Sequence, residues 1–249
     1  MEYRILEDHN VCKFVFTKQD MVAESVLYKY ESYKKRTVIC CSVQSGCKVG
    51  CTFCGTGKRF IRSLTSDEIV EQVKIVINNK VLNEIKNTNE IEKFQIMFMS
   101  MGEPFDNYYQ VKEAIVKLNK LFPNAQLLIS TVGLRKYKEL NDFMKLSIEI
   151  NKIGLQFSIH QANEEKRNKL IPYKNKLTLR EIRDYGIEWS ENTGRPVYLN
   201  YCIDGNNISD EEIKGYNTRI FDPAGQDTIG GGCGQLWFVQ DWMKSYKKK

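Results

Sequence analysis

The central part of the chain alternates between short apolar runs and longer stretches whose apolar residues recur every three or four positions. The runs are rich in β-branched and aromatic residues and predict strands at residues 37–43, 94–99, 127–130, 155–159 and 197–203. The stretches between them predict helices; Ile69, Val73 and Val76, for example, share one helical face. Capping boxes beginning at Thr65 and Thr178 mark where two of these helices start.

This repetition of strands and helices predicts an α/β fold with a parallel sheet, in which functional groups gather at the carboxyl ends of the strands. Before residue 37 the pattern predicts a β-hairpin extension with strands at 13–17 and 25–30. After residue 203 the chain is irregular and rich in glycine. We expect a single domain over residues 1–249, which consists of an N-terminal β extension (1–36), a partial barrel (37–236) and a C-terminal tail (237–249).

Composition narrows the class of protein without specifying its chemistry. A hydrophobic content of 42% and a charged content of 27% are typical of a globular domain. No apolar run is long enough to cross a bilayer and no signal-peptide pattern is present, so we expect a cytoplasmic protein. Eight cysteines in that setting indicate ligands or reactive thiols. The net charge of +6 suits an RNA partner but is weak support for one.

Cys47, Cys51 and Cys54 form a C-x3-C-x2-C motif after the first predicted strand of the barrel. Three thiolates on one loop can each ligate one iron of a [4Fe–4S] cluster, which leaves the fourth iron open to a small molecule. A zinc knuckle is the alternative, although such sites generally use C-x2-C pairs and four protein ligands. The spacing therefore favours the cluster over zinc.

Polar residues follow the next predicted strands at what should be the same edge of the sheet. Glu103 is suited to accept hydrogen bonds from an ammonium group, and Ser130 and Ser158 are suited to bind a carboxylate or a ribose. A single serine in such a position is more simply explained as a turn or cap residue. Agreement among four strand ends favours a common ligand. The candidate set is Gly102, Glu103, Ser130, Ser158 and His160.

Two cysteines outside the motif also carry candidate chemistry. Cys40 lies on the strand that leads into the cysteine loop, and Cys233 is flanked by glycines that permit close approach of the backbone to a ligand. A thiol in an accessible loop is a candidate nucleophile. By contrast, Cys12, Cys41 and Cys202 have apolar neighbours and are predicted to be small buried hydrophobic residues.

These motifs together resemble those of the radical S-adenosylmethionine (SAM) superfamily, and within it the RlmN/Cfr family of RNA adenine methyltransferases. Residues 99–104, Met-Ser-Met-Gly-Glu-Pro, resemble the family's Met-Gly-Met-Gly-Glu-Pro segment, and Ser-Ile-His at 158–160 resembles its Ser-Leu-His segment. Cys-Gly-Gln-Leu at 233–236 resembles the segment around its methyl-carrying cysteine, and Glu24 resembles a glutamate upstream of the second catalytic cysteine. The resemblance extends from about residue 11 to residue 236.

The resemblance implies a mechanism as well as a fold. The motif cysteines would hold a [4Fe–4S] cluster, and the residues at the strand ends would bind SAM. One SAM would methylate Cys233, and reductive cleavage of a second would activate that methyl group for addition to an adenine carbon of rRNA or tRNA, C2 in preference to C8. Cys40 would then resolve the protein–RNA adduct by forming a disulfide with Cys233, with Glu24 as the proton acceptor. An electron donor such as flavodoxin or ferredoxin is also implied.

Two parts of the family pattern are not found in the sequence. Family members carry an N-terminal helical domain, and they have a further strand and helix where this chain offers only residues 207–218, fewer than such a unit needs. We therefore expect a barrel of the radical SAM type that lacks one βα unit. Two other functions stay open: a radical SAM enzyme that acts on a substrate other than RNA, and a degenerate cluster-binding protein.

Overall fold

The computed structural model of the protein describes residues 1–202 and 218–221. Within these ranges the strands are β1 (Glu2–Asp8), β2 (Val11–Lys18), β3 (Met21–Lys29), β4 (Arg36–Cys40), β5 (Gln44–Gly46), β6 (Phe60–Ser63), β7 (Lys93–Phe98), β8 (Gln126–Thr131), β9 (Ile153–Ser158), β10 (Tyr198–Cys202) and β11 (Thr218–Phe221). The α-helices of the same ranges are α1 (Ser66–Asn79), α2 (Tyr108–Leu121), α3 (Tyr137–Glu149), α4 (Glu164–Leu170) and α5 (Leu179–Thr193). None of these helices combines the length and the apolar character that a bilayer crossing requires.

Nine of the strands form one mixed sheet in the order β1-β2-β3-β4-β7-β8-β9-β10-β11. Neighbours from β1 to β4 are antiparallel, and neighbours from β4 to β11 are parallel. In the described part of the chain β1 and β11 are the two edges, so the sheet is an open partial barrel, which confirms the predicted fold class. β11 pairs directly with β10, and the connecting residues 203–217 lie outside the described ranges.

The extension before the barrel has one strand more than the predicted hairpin. β2 and β3 correspond to the two predicted strands, but β1 also pairs along its length with β2. Tyr3 of β1 lies against Phe14 and Phe16, with ring centroids 6.0 and 6.1 Å apart. The sequence pattern does not predict β1, because this edge strand has few apolar residues. Its charged residues interrupt the alternation of apolar and polar positions. Helix α4 is likewise not indicated by the sequence pattern.

The two faces of the sheet differ in what covers them. One face packs against the helices and forms the main core, to which Ile39, Ile96 and Phe157 contribute. The other face carries a smaller apolar cluster whose described members all lie on strands: Val11, Val26, Val38, Cys40, Met97 and Leu128. Alternate residues of each strand point to opposite faces, so Ile39 and Cys40 belong to different clusters although they are adjacent. We call the side with the smaller cluster the site face.

Helix α1 starts with the predicted capping box, which is part of a larger ionic network. The Thr65 hydroxyl accepts a hydrogen bond from Glu68 N, and the Glu68 carboxylate accepts one from Thr65 N. Arg62 donates two hydrogen bonds of 2.8 Å to the Glu68 carboxylate. It also donates to Asp20, which lies in the turn between β2 and β3. The hydrogen bonds from Arg62 contribute most to lowering the pKa of Glu68, which falls to about 2. The network ties the N-terminal extension to the barrel.

Replacing this carboxylate should destabilise the protein in a pH-dependent way. Because the pKa of Glu68 in the folded protein lies below its ordinary value, the ionised carboxylate stabilises the fold above about pH 4.5, and that stabilisation is lost as the pH falls through about 2. Glu68→Gln should therefore lower the free energy of unfolding by about 1–2 kcal/mol at pH 7, measured by urea denaturation. The difference from the wild type should shrink on acidification. Glu92→Gln, which removes an exposed pair with Lys35, is the control and should change stability by less than about 0.5 kcal/mol.

Candidate functional site

The three motif cysteines lie on the loop of the β5–β6 hairpin. β4 ends at Cys40, so the strand predicted to lead directly into this loop is interrupted, and the short strand β5 precedes the cysteines. The loop is closed by hydrogen bonds from Cys47 N to Arg59 O (3.0 Å) and from Cys54 N to Cys51 O (3.1 Å). All three thiols are free and partly exposed. The three predicted cluster ligands therefore lie partly exposed on one loop.

Two contacts hold the cysteine loop against the segment that follows β9, one to α4 and one to His160. Thr52 N donates to Leu170 O at 2.9 Å, which ties the loop to the last residue of α4. The Phe53 ring meets His160 edge to face, with centroids 4.8 Å apart and an interplanar angle of 69°. The structure thus brings the predicted cysteine loop and one of the predicted strand-end residues into direct contact.

A buried amide, Gln44, joins the cysteine hairpin to the segment after β7. Its Oε1 accepts a hydrogen bond from Glu103 N at 3.0 Å, and its Nε2 donates to Asp106 Oδ2 at 2.9 Å. Gly102 lies directly against it with φ of +94°. A Cβ at Gly102 would be 2.5 Å from Gln44 Cβ and 2.8 Å from Gln44 N, so the position requires glycine for both space and conformation.

Glu103 is buried and its carboxylate links the ends of β7 and β8. It accepts hydrogen bonds from Thr131 Oγ1 at 2.5 Å, Val132 N at 3.0 Å and Phe105 N at 3.1 Å. Burial nevertheless dominates and raises the pKa of Glu103 to about 7. A cation placed beside this carboxylate would favour its ionised form. The protonation state of Glu103 is thus sensitive to a nearby cation. Its hydrogen bonds also join the ends of β7 and β8, a structural role that the sequence does not reveal.

The two predicted serines lie together within one polar network on the site face. Ser130 Oγ and Ser158 Oγ are 2.8 Å apart, and Asn200 Nδ2 donates to Ser130 Oγ at 3.0 Å and to Gln156 Oε1 at 2.9 Å. Asn200 is buried, and its Oδ1 has no hydrogen-bond partner among the described residues. A buried amide oxygen of this kind is suited to accept a hydrogen bond from a ligand hydroxyl or amine. Sequence reasoning missed Asn200, although a single amide within an apolar strand is a usable signal.

His160 is buried at the end of β9 and has a left-handed backbone conformation, with φ of 55°. Burial lowers its pKa to about 4, and the charge of nearby Arg167 acts in the same direction. The imidazole is therefore neutral near pH 7. Arg167 is itself fully buried and donates to Val132 O at 2.7 Å and Leu177 O at 2.8 Å. These bonds join the segment after β8 to the segment before α5.

Cys40 and Glu24 lie on neighbouring strands of the site face. Cys40 pairs with Val26 of β3, and Glu24 is two residues along β3 on the same face. The Cys40 sulfur is 3.9 Å from the Met97 sulfur, and burial raises the pKa of its thiol to about 12. Glu24 is fully buried in an ion pair with Lys13, which sequence reasoning also missed. A single charge in the apolar run of β2 was the available signal.

Other cysteines meet their predictions in part. Cys12 and Cys41 are buried in the main core, which confirms them as small hydrophobic residues. Cys202 ends β10, but its side chain lies outside what the structure describes, as does Cys233. The predicted approach of Cys233 to Cys40 therefore stays a prediction.

The donor set fits an iron–sulfur cluster better than a single metal ion. A zinc knuckle generally uses four protein ligands in C-x2-C pairs, whereas this loop supplies three thiols in a C-x3-C-x2-C spacing. A cubane cluster takes each thiolate on a different iron. Three partly exposed thiols on one loop, with the buried Glu103 carboxylate near two of them, are suitable donors for such a cluster and for a polar ligand next to it.

The sequence model of the radical SAM superfamily matches residues 41–214. The chain belongs to the radical SAM superfamily. Members of this superfamily use a [4Fe–4S] cluster and SAM. The matched range includes the cysteine loop and the strand ends that carry the polar residues described above.

Individual proteins similar to this chain include two curated relatives and one solved structure. A Dictyoglomus turgidum protein named "Probable dual-specificity RNA methyltransferase RlmN" is 30% identical over 87% of this chain and 57% of its own length. A protein of the same name from Chlorobium phaeobacteroides is 34% identical over 80% of this chain and 51% of its own. The solved structure of a radical SAM methyltransferase from Sphaerobacter thermophilus superimposes with a TM-score of 0.72 at 29% identity, covering 87% of this chain and 64% of that one. The chain thus spans about half the length of the curated relatives it matches.

Placing a side chain at Gly102 should be far more damaging than the strained conformation alone explains. Gly102→Ala should lower the free energy of unfolding by more than about 3 kcal/mol, because the left-handed backbone and the clash with Gln44 add. Gly194→Ala is the matched control, since Gly194 has φ of +68° and nothing within 4 Å of an added Cβ. It should cost only about 1–2 kcal/mol. Equal losses in urea denaturation would show that the contact with Gln44 is unimportant.

Proposed function

We propose that the protein is a radical SAM methyltransferase that methylates an adenine carbon of RNA, C2 in preference to C8, through a methylated Cys233. The observation that carries the proposal is the position of Cys40. This thiol lies outside the cluster motif, on the site face, and the neighbouring strand carries the buried Glu24 carboxylate. Cleavage of SAM by itself would not require a thiol in this position. The relatives named as RNA methyltransferases and the solved radical SAM methyltransferase support the same choice.

The residues around the strand ends divide the work of holding the cofactors. Cys47, Cys51 and Cys54 would hold the cluster, which together with SAM supplies the one-electron chemistry that activates a methyl group. The Glu103 carboxylate would accept hydrogen bonds from the SAM ammonium group, over the tight backbone turn at Gly102.

Three further side chains complete the proposed SAM site. Ser130 and Ser158 offer hydroxyls to the ribose or the carboxylate of SAM. His160, neutral at pH 7, closes the wall beside the cysteine loop without adding charge.

Cys40 and Glu24 would act on the RNA adduct. An adenine within RNA first has to be unstacked to reach the strand ends. Glu24 would accept the proton that the substituted carbon loses, while one electron returns to the redox partner. The Cys40 sulfur, once deprotonated, would attack the Cys233 sulfur: an S–S bond replaces the S–C bond, and the released electron pair takes up a proton to complete the methyl group. Burial raises the pKa of Cys40 to about 12, so this thiol is protonated near pH 7, and the proton that it loses on attack balances the one that the methyl group gains.

The cell has to supply electrons and a reducing environment. We place the reaction in the cytoplasm, with flavodoxin or ferredoxin as the electron donor and rRNA or tRNA as the substrate. A reducing compartment keeps the ligand thiols and Cys40 available. A substrate other than RNA, or a protein that binds a cluster without turnover, would each give a different result in the assay below.

The reaction is tested by reconstituting the protein anaerobically with iron, sulfide, SAM, a reductant and total RNA. We expect iron–sulfur absorption, 5′-deoxyadenosine release and RNA-dependent formation of 2-methyladenosine, detected by nucleoside mass spectrometry. Cys51→Ala should lose the absorption, whereas Cys12→Ala, on the core side of β2, should keep it. Release of 5′-deoxyadenosine without any methylated nucleoside would favour another substrate. Absence of both products would favour the degenerate protein.

Loss of Cys40 should separate SAM cleavage from product formation. Cys40→Ala should cleave SAM and form the covalent protein–RNA adduct, but release methyladenosine at least about 100-fold more slowly, because the resolving thiol is gone. Cys41→Ala is the matched control, since Cys41 is the next residue but belongs to the main core on the opposite face. It should keep its activity at a modest cost in stability. Normal turnover by Cys40→Ala would contradict the role of this thiol.

A further inference from the structure

Lys13 and Glu24 form an ion pair in which both side chains are completely excluded from solvent. Lys13 lies on β2 and Glu24 on β3, and both point to the site face. The registers of the strands place Lys13 opposite Val26, and Val26 opposite Cys40. The pair is therefore part of the same surface as the thiol that is proposed to resolve the adduct.

Among the described residues, apolar side chains flank this pair along both strands. Val11 and Val15 flank Lys13 along β2, and Val26 flanks Glu24 along β3. Burying two charges costs several kcal/mol per ion, and replacing a buried pair by well-packed apolar residues is often neutral or even stabilising. Valine in place of Lys13 and of Glu24 would fit the packing of this sheet face. The pair thus calls for an explanation other than stability.

The backbone of Glu24 is held as firmly as its side chain. Glu24 O accepts hydrogen bonds from Ser42 Oγ and Ser100 Oγ, both at 2.6 Å, and Glu24 N donates to Ser42 Oγ at 3.1 Å. Ser42 lies between β4 and β5, and Ser100 follows β7. The main chain of Glu24 is therefore fixed to the two segments that lead into the proposed cluster and SAM sites, and Lys13 fixes its carboxylate.

We infer that Lys13 is a positioning residue that keeps the Glu24 carboxylate ionised and oriented for proton transfer, an inference that rests on the proposed function. A buried carboxylate without a counter-charge takes up a proton. A protonated carboxyl group cannot accept the proton that the adduct has to lose. Burial also lowers the pKa of Lys13, and the charge of Glu24 opposes this effect, so each charge depends on the other.

The inference is tested with Lys13→Met, Lys13→Arg, Glu24→Gln and the double variant Lys13→Met/Glu24→Gln. Each is reconstituted anaerobically and supplied with SAM, a reductant and RNA. The readouts are 5′-deoxyadenosine, the covalent protein–RNA adduct on a denaturing gel, and methyladenosine. Thermal unfolding of the double variant, which leaves no unpaired buried charge, reports on the structural contribution of the pair. Lys35→Met, in an exposed pair with Glu92, is the control and should behave as the wild type.

We expect Lys13→Met to cleave SAM and form the adduct, but to release methyladenosine about 100-fold more slowly, the range that a general base contributes. Lys13→Arg should recover most of that loss, because it restores the charge. The double variant should be no slower than Glu24→Gln, since the two residues act as one unit. It should be more stable than Lys13→Met, because it leaves no unpaired buried charge. A structural role would not produce this accumulation of adduct.

Three outcomes would overturn the inference, and they can be told apart. If Lys13→Met turns over normally while Glu24→Gln does not, the carboxylate works without the lysine. If Lys13→Met loses 5′-deoxyadenosine, adduct and product together and Lys13→Arg rescues none of them, the lysine is structural. If the wild type makes neither adduct nor methyladenosine, the proposed function fails and the inference fails with it.

Discussion

The contact between Gln44 and Gly102 is the constraint on which the site depends. The buried amide of Gln44 bonds the backbone of Glu103 and the Asp106 carboxylate, and it belongs to the hairpin that carries the cysteine loop. Because glycine at position 102 leaves room for that amide, the segment after β7 can lie directly against the hairpin. Two hydrogen bonds of Gln44 and its close packing against Gly102 thus set the relation between the hairpin of the proposed cluster ligands and the end of β7.

The sheet separates structural from chemical tasks by its two faces. The helix-covered face holds the main core, with Cys12 and Cys41 among its members. The site face combines a small apolar cluster around Cys40 with a polar network at the ends of β8, β9 and β10. This division explains why two adjacent cysteines, Cys40 and Cys41, have such different environments. A period of two residues along each strand is sufficient to create it.

Electrostatics at the site are governed by burial more than by charge pairing. Burial raises the pKa of Glu103 to about 7 in spite of three hydrogen bonds, and it lowers the pKa of His160 to about 4. Near neutral pH His160 therefore adds no positive charge beside the cysteine loop. An ammonium group beside Glu103, as in the proposed SAM site, would favour the ionised form of this carboxylate.

Much of the fold follows from local patterns, and the exceptions have identifiable causes. The capping boxes at Thr65 and Thr178 are confirmed, and the predicted barrel strands lie within one or a few residues of β4 and β7 to β10. β1 was missed because its solvent-facing charges hide its alternation. The partners of buried polar residues were missed for another reason: Lys13 and Glu24 are both visible in the sequence, but their pairing exists only through strand register.

The sequence by itself determined the chemistry that the chain can carry: the spacing of three thiols on one loop, the polar residues after each strand, and two further cysteines. These properties are local, because they depend on residues a few positions apart. The tertiary structure alone decided which groups meet: Phe53 with His160, Ser130 with Ser158 and Asn200, and Gln44 with Gly102. Such contacts join residues far apart in the chain, and they arise only when strand order and register bring the carboxyl ends of the parallel strands to one edge.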